Sequence, residues 1–161
     1  MEVRTAKKFL AVTYRVWAVL AVLSFMVLYL SFIGSSMSTK GQDEKIIPLF
    51  IGQRTLSVYV ADNVELREKG LSGMASLPEG SGMIFVFEET GVKGFWMKDM
   101  KFPIDIIWLD EAKRVVFVKN SALPSSYPEV FAPAVSARYV LETPAGFAEE
   151  NRVKIGDMVS F

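Results

Sequence analysis

Eighteen consecutive residues, Val16 to Ile33, carry no charge, and Arg4, Lys7, Lys8 and Arg15 all precede them. The hydrocarbon core of a bilayer is about 30 Å thick and takes ~20 mostly apolar helical residues to cross. At the helical rise per residue the run supplies about 27 Å, and residues 9–14 extend it inward. Arg15 would then snorkel back to the headgroups on its long stem. Tyr14, Trp17 and Tyr29 lie toward the ends, where amphipathic rings favour the interface. The flank after the run holds only Lys40 and Lys45. The positive-inside bias therefore puts residues 1–15 in the cytoplasm and everything beyond Gly34 outside. The expectation is a single-pass anchor in the cell membrane, with the lipid bilayer as its partner. The alternative is a signal peptide cut near Ser36, which would release the remainder.

The chain has no Cys and no His. That excludes Ser-His-Asp and Cys-His nucleophilic machinery, thiol redox chemistry, lipid attachment through an N-terminal Cys, and ordinary His/Cys zinc sites. An exported domain without disulfides must stand on its core alone, which residues 46–161 are long enough to build. The overall neutrality hides an asymmetry: residues 1–45 carry net charge +3 and residues 46–161 net −3. The outer part has no basic run, so nucleic acid is not an expected partner.

Residues 34–45 are polar, Gly- and Ser-bearing and unpatterned, and read as a flexible linker of roughly 20 Å root-mean-square length. Beyond it, residues 46–51 and 54–61 predict two strands around a Gly52-Gln53 turn. In the second strand Leu56, Val58 and Val60 alternate with Thr55, Ser57 and Tyr59, giving one buried face. Asp62 with Glu65 reads as a capping box opening a short helix, and Gly70 as its stop. Residues 71–82 are a loop; Met83 to Phe87 is a short apolar run suited to a core strand. Residues 104–109 and 114–119 predict a hairpin. Residues 120–136, with Pro124, Pro128 and Pro133, predict a long excursion, and residues 137–143 another strand. Thr143 is expected to cap a second short helix with Pro144 at its first position, and Gly156-Asp157 to turn into a last strand. Seven or so short strands and two short helices point to a mainly-β sandwich or barrel.

Five blocks recur in order: GLSGMASLPEGSGMIFVF, FWMK, FPIDIIWLD, RYVLETPAGFAEE and GDMVSF. Through them, from about Val58 to Phe161, the chain resembles the family catalogued as domain of unknown function 192. The resemblance implies a compact β-sandwich of jelly-roll character, and no established activity, cofactor or catalytic residue. The positions matching its pattern include Arg67, Gly70, Leu71, Gly82, Trp96, Asp105, Glu142 and Gly146. The chain departs from it at Ser72, where Met is common, at Asp99-Met100, where Asn-Thr is common, and at Ala122-Leu123-Pro124, where Ala-Pro-Pro is common.

Arg67 falls on the face of the expected helix that also carries Val64 and Leu71. A guanidinium on an apolar face needs a partner, and Asp105 and Glu142 are the carboxylates expected to supply one. A structural clasp is the plain reading of that trio; a carboxylate-lined ligand pocket or a catalytic acid/base pair are the sharper ones. Met97 and Met100 have thioether-site spacing, but without His or Cys in support core packing is the expectation, and no metal or cofactor is implied. Gly80 to Gly82 precedes a strand rather than a helix and does not read as a phosphate cradle. Tyr127 and Phe131 sit in the long proline-bearing loop, where an aromatic platform for sugar or peptide would lie, with Asp99 as a further binding candidate. The expected function is a membrane-tethered extracytoplasmic binding or interaction module that contacts envelope glycan, peptide or a membrane protein. The alternative is a carboxylate-dependent hydrolase of envelope polymers using Asp105, Glu142 or Asp99, with Arg67 as orienter.

Overall fold

A computed structural model describes residues 45–161 and, of the N-terminal stretch, Met26 alone. The expected anchor and linker lie, apart from Met26 and Lys45, outside the described residues. Among the described residues no helix is long and apolar enough to cross a membrane.

Asp43–Phe161 forms one unit. Its elements are β1 (Ile46–Ile51), β2 (Arg54–Ala61), α1 (Val64–Lys69), β3 (Ser81–Gly91), β4 (Ile104–Leu109), β5 (Val115–Ala122), a 3-10 turn (Pro124–Ser126), β6 (Ala137–Pro144), α2 (Phe147–Glu150) and β7 (Val159–Ser160). The expected strand bounds 46–51, 54–61 and 104–109 match, because each is a short β-patterned run cut off by turn residues. The helix starts one residue later than expected. Asn63, in extended conformation (φ −122°), is the N-cap, and its side chain accepts from the Leu66 N–H at 2.9 Å. Gly70 ends it at φ 49°, as expected. The second expected cap is wrong: Pro144 closes β6, and Gly146 opens α2.

The strands make one seven-stranded sheet in the order β5-β4-β6-β3-β2-β1-β7 rather than the two facing sheets of a jelly roll. Its neighbours are antiparallel except β2 and β3, which pair in parallel from Ser57↔Ser81 to Ala61↔Phe85. A parallel pair needs a crossover, and residues 62–80, with α1, provide it. The sheet curls on itself. Its last strand pairs with β1 through Ile51↔Val159, while Val115 N–H donates to the Asp157 carbonyl and Val159 N–H to that of Lys113. The C-terminal residues therefore bridge the two edges of the sheet at one end.

Strand alternation divides the core into two layers. Leu56, Val58, Ile84, Ile107 and Leu141 fill the inside of the curl together with Ala148 of α2. Phe85, Ile106, Trp108 and Val140 point outward and are covered by Leu71, Leu77, Met97 and Phe131 from the loops. Gly82 is needed where β3 runs close beside β6: a Cβ there would stand 2.8 Å from the Glu142 carbonyl oxygen.

Asp105 belongs to the inner layer and is fully buried. Its carboxylate accepts from the Ser121 N–H and from the Ala148 N–H, both at 2.8 Å. One side chain thus ties β4 to the end of β5 and to the first turn of α2. Replacing it by Ala leaves the buried Ala148 N–H and the partly buried Ser121 N–H without their acceptor, so Asp105→Ala is expected to destabilise the domain by about 2–4 kcal/mol in urea unfolding.

Candidate functional site

The outer layer does not close completely. Between α1, the outer face of β3 and residues 94–100 lies a cavity of about 600 Å³. Phe85 and Phe87 reach it from β3, Phe95 and Trp96 from the segment after Gly94, and Glu142 from β6. Two hydrogen bonds tie the turn after α1 to residues 98–99 beside it: Ser72 Oγ donates to the Lys98 carbonyl at 2.9 Å, and Gly73 N–H to that of Asp99 at 3.0 Å.

Glu142 is the unusual group. It is 5% exposed, and its Oε2 is buried with no hydrogen-bond partner among the described residues. The register explains the environment: Glu142 sits between Met83 on β3 and Ile106 on β4, neither of which can donate from its side chain. Burial pushes its carboxyl up from 4.5 to about 8, so at neutral pH it holds its proton.

The expected Arg67–carboxylate pair does not form. Arg67 Nη1 donates instead to the Val86 carbonyl at 2.9 Å, and the guanidinium lies 5.3 Å from the centre of the Phe87 ring. A carbonyl and an aromatic face satisfy the cation where a carboxylate had been expected. Among the described residues the single ion pair is Arg138–Glu111, on the surface. Asp105 and Glu142 do not meet either. Asp105 pairs with Thr143 and Glu142 with Ile106, so the two carboxyls occupy alternate positions and opposite faces of the sheet.

Asp99 lines the same cavity as Glu142 and Arg67, on exposed backbone with φ 58°. Phe131 is 9% exposed; it bridges to Phe95 in antiparallel fashion and belongs to the core. Tyr127 is 47% exposed and packs edge-on against Trp96, itself 56% exposed, with ring centroids 6.5 Å apart. The exposed aromatic pair is therefore Trp96 with Tyr127, while Phe131, expected beside Tyr127, is packed inside. Trp96 escaped the sequence reading as a site residue because it stands among core aromatics. The signal was Gly94, where a Cβ would come within 2.9 Å of the Val130 side chain: the segment before Trp96 runs close against the long proline-bearing loop, outside any named strand. Five positions singled out by the family resemblance, Arg67, Gly70, Leu71, Trp96 and Glu142, line this one cavity. Met97 is packed in the core, as expected. No group of three or more acidic side chains able to hold a metal occurs among the described residues.

A family model described as "Uncharacterized ACR" (domain of unknown function 192) matches residues 48–161. A UPF0127 protein of Thermococcus gammatolerans is 31% identical over 104 residues, which are 65% of this chain and 65% of that protein. The chain thus spans just under two thirds of that relative's length. A Novosphingobium aromaticivorans protein of unknown function has the same fold at a TM-score of 0.70 and 28% identity, covering 75% of this chain and 89% of that one. A Sinorhizobium meliloti chain described, provisionally, as a transcription regulator follows at a TM-score of 0.66 and 25% identity, covering 73% and 92%.

A carboxyl that is neutral when folded and ionised when unfolded makes stability fall as pH rises from the unfolded value toward the folded one. Between about pH 4.5 and 8 this amounts to something on the order of 4 kcal/mol for Glu142. Glu142→Gln is expected to remove that slope, so that the variant gains on the wild type across this window in urea titrations at stepped pH. Parallel curves would refute the assignment.

Proposed function

The chain belongs to the domain of unknown function 192 (UPF0127) family, and we propose that within it this protein is a membrane-tethered, extracytoplasmic binding module. Its cavity takes a short piece of envelope glycan, of peptide or of a membrane protein. The tether rests on the uncharged run from Val16 to Ile33 and the positive charges ahead of it. Binding rests above all on Glu142. A buried carboxyl with an unpartnered oxygen at a cavity wall costs stability in the empty domain, and an incoming polar group would relieve that cost. The exposed Trp96–Tyr127 pair at the rim supports the same reading, since flat aromatic faces suit a sugar ring or a planar side chain. Leu71 and Ser72, at the start of the loop 71–82, line the cavity, and Tyr127 from the long proline-bearing loop packs against Trp96 of the lining.

The alternative, a hydrolase of envelope polymers, is narrower than the sequence suggested. Asp105 is held on the opposite face by two N–H groups, which leaves Asp99 as the one other named candidate beside Glu142, with Glu68 a further acid on the lining. The binding reading needs no second carboxyl and is preferred.

Two measurements test it. Protease added outside intact cells should digest residues 46–161 while the remainder stays in the membrane fraction; protection of that domain would remove the tether and its orientation. The full chain in lipid nanodiscs should melt higher with saturating envelope oligosaccharide or peptide, by a margin set by ligand excess over Kd, about 2.7 kcal/mol at a hundredfold excess. Trp96→Ala should abolish that rise without lowering the melting point of the free protein. Steady release of cleaved product in the same mixture would favour the hydrolase.

A further inference from the structure

We infer that the Glu142 cavity is selective for a carboxylate borne on a ring or other apolar body. The inference rests on the binding reading above and adds the chemical class of the ligand. Three features of the cavity carry it.

The first is the state of Arg67. Its Nη1 is committed to the Val86 carbonyl, while Nε and Nη2 form no hydrogen bond or ion pair among the described residues. Those two N–H groups are the side-on edge of the guanidinium, the planar fork that matches the two oxygens of a carboxylate. The bond to Val86 and the contact with Phe87 hold the fork in place before any ligand arrives. The second is Glu142, whose Oε2 is buried and without a partner at the cavity wall. With its proton on, it is a donor in search of an acceptor. The third is the apolar wall of Phe85, Phe87 and Trp96, which fits a ring rather than a bare ion.

An aromatic wall with a carboxyl would also suit an ammonium ligand, and the surroundings decide against it. Phe87 already carries two cations over its ring, Arg67 and Lys93 at 4.5 Å. The charged groups facing the cavity are Arg67, Glu68 and Lys69 from α1, with Lys98 and Asp99 from the loop after Trp96. The outer faces of β3 and β4 beside Glu142 present Met83, Phe85 and Ile106, which do not titrate. With Glu142 neutral the lining is positive by one charge. Once Glu142 ionises, above about pH 8, the lining is neutral overall and the buried wall is negative. A carboxylate ligand is then repelled where it had been hydrogen-bonded.

The test titrates benzoate, benzamide and benzylammonium against the full chain in nanodiscs, following the Trp96 indole N–H by NMR. Benzoate should bind more tightly than benzylammonium, and its affinity should drop about tenfold or more from roughly pH 6.5 to roughly pH 9.5. Glu142→Gln, which keeps a donor without the titration, should retain benzoate binding and lose most of that drop. Arg67→Lys, which keeps the charge and loses the fork, should weaken benzoate about tenfold and leave benzamide within about threefold. Its melting point, read alongside, shows that the domain is intact. Tighter binding of benzylammonium, or benzoate affinity flat across pH 8, overturns the carboxylate inference and leaves the cavity as a binding site. If no probe moves Trp96, the carboxylate inference falls, while the melting measurement with oligosaccharide or peptide decides the binding reading separately.

Discussion

Strand β6 is hydrogen-bonded along both edges, to β4 and to β3, and its two-residue period decides what each face of the domain contains. Leu141 and Thr143 point into the curl, while Val140 and Glu142 point into the outer layer. Asp105 on β4 follows Thr143 inward and becomes a structural clamp; Glu142 follows Ile106 outward and reaches the cavity. Two acids that look equivalent in the chain are thus sent to opposite tasks by a single step of register. A one-residue slip of β6 would turn Glu142, an acid without a partner, into the curl, and one of β4 would turn Asp105 outward and leave α2 without its acceptor.

The outer layer is the more open of the two for a topological reason. A curled sheet encloses its inner face with its own strands, whereas the outer face must be covered by whatever the connections supply. The parallel step from β2 to β3 brings α1 and residues 71–80 over that face, and residues 94–100 complete the cover from the other side. Leu71, Leu77 and Met97 pack into the layer beneath, while a hydroxyl and a backbone N–H tie the two segments together. A six-residue helix with no fully buried residue cannot seal the seam, and the cavity is what remains.

Local pattern carried the strands and failed at pairing. Residues 46–51, 54–61 and 104–109 declare themselves through period, length and flanking turns, so their bounds are readable. Nothing local says that β2 and β3 run parallel, or that residues 156–160 bridge both edges, because those choices are made between segments far apart in the chain. The half-buried guanidinium of Arg67 does need a partner, but a carbonyl and a ring meet the need, and sequence does not reveal carbonyls. Glu142 was identifiable as a candidate; its isolation from Arg67, which gives it its chemistry, was not. Trp96 and Phe131 exchanged roles because exposure of an aromatic depends on which loop lies over it.

Isolation is also what argues that Glu142 is there for more than packing. The same chain resolves its other buried acid fully: Asp105 has a backbone donor for each oxygen. Around Glu142 the neighbouring strands offer Met83 and Ile106, and the nearby guanidinium is turned to Val86. A Met or Leu in its place would fill the same layer without an unpartnered oxygen and without a proton held up to about pH 8. A perturbed acid at a cavity wall is a group that a bound ligand could partner, and on the binding reading proposed above the exposed Trp96–Tyr127 pair is where that ligand would rest.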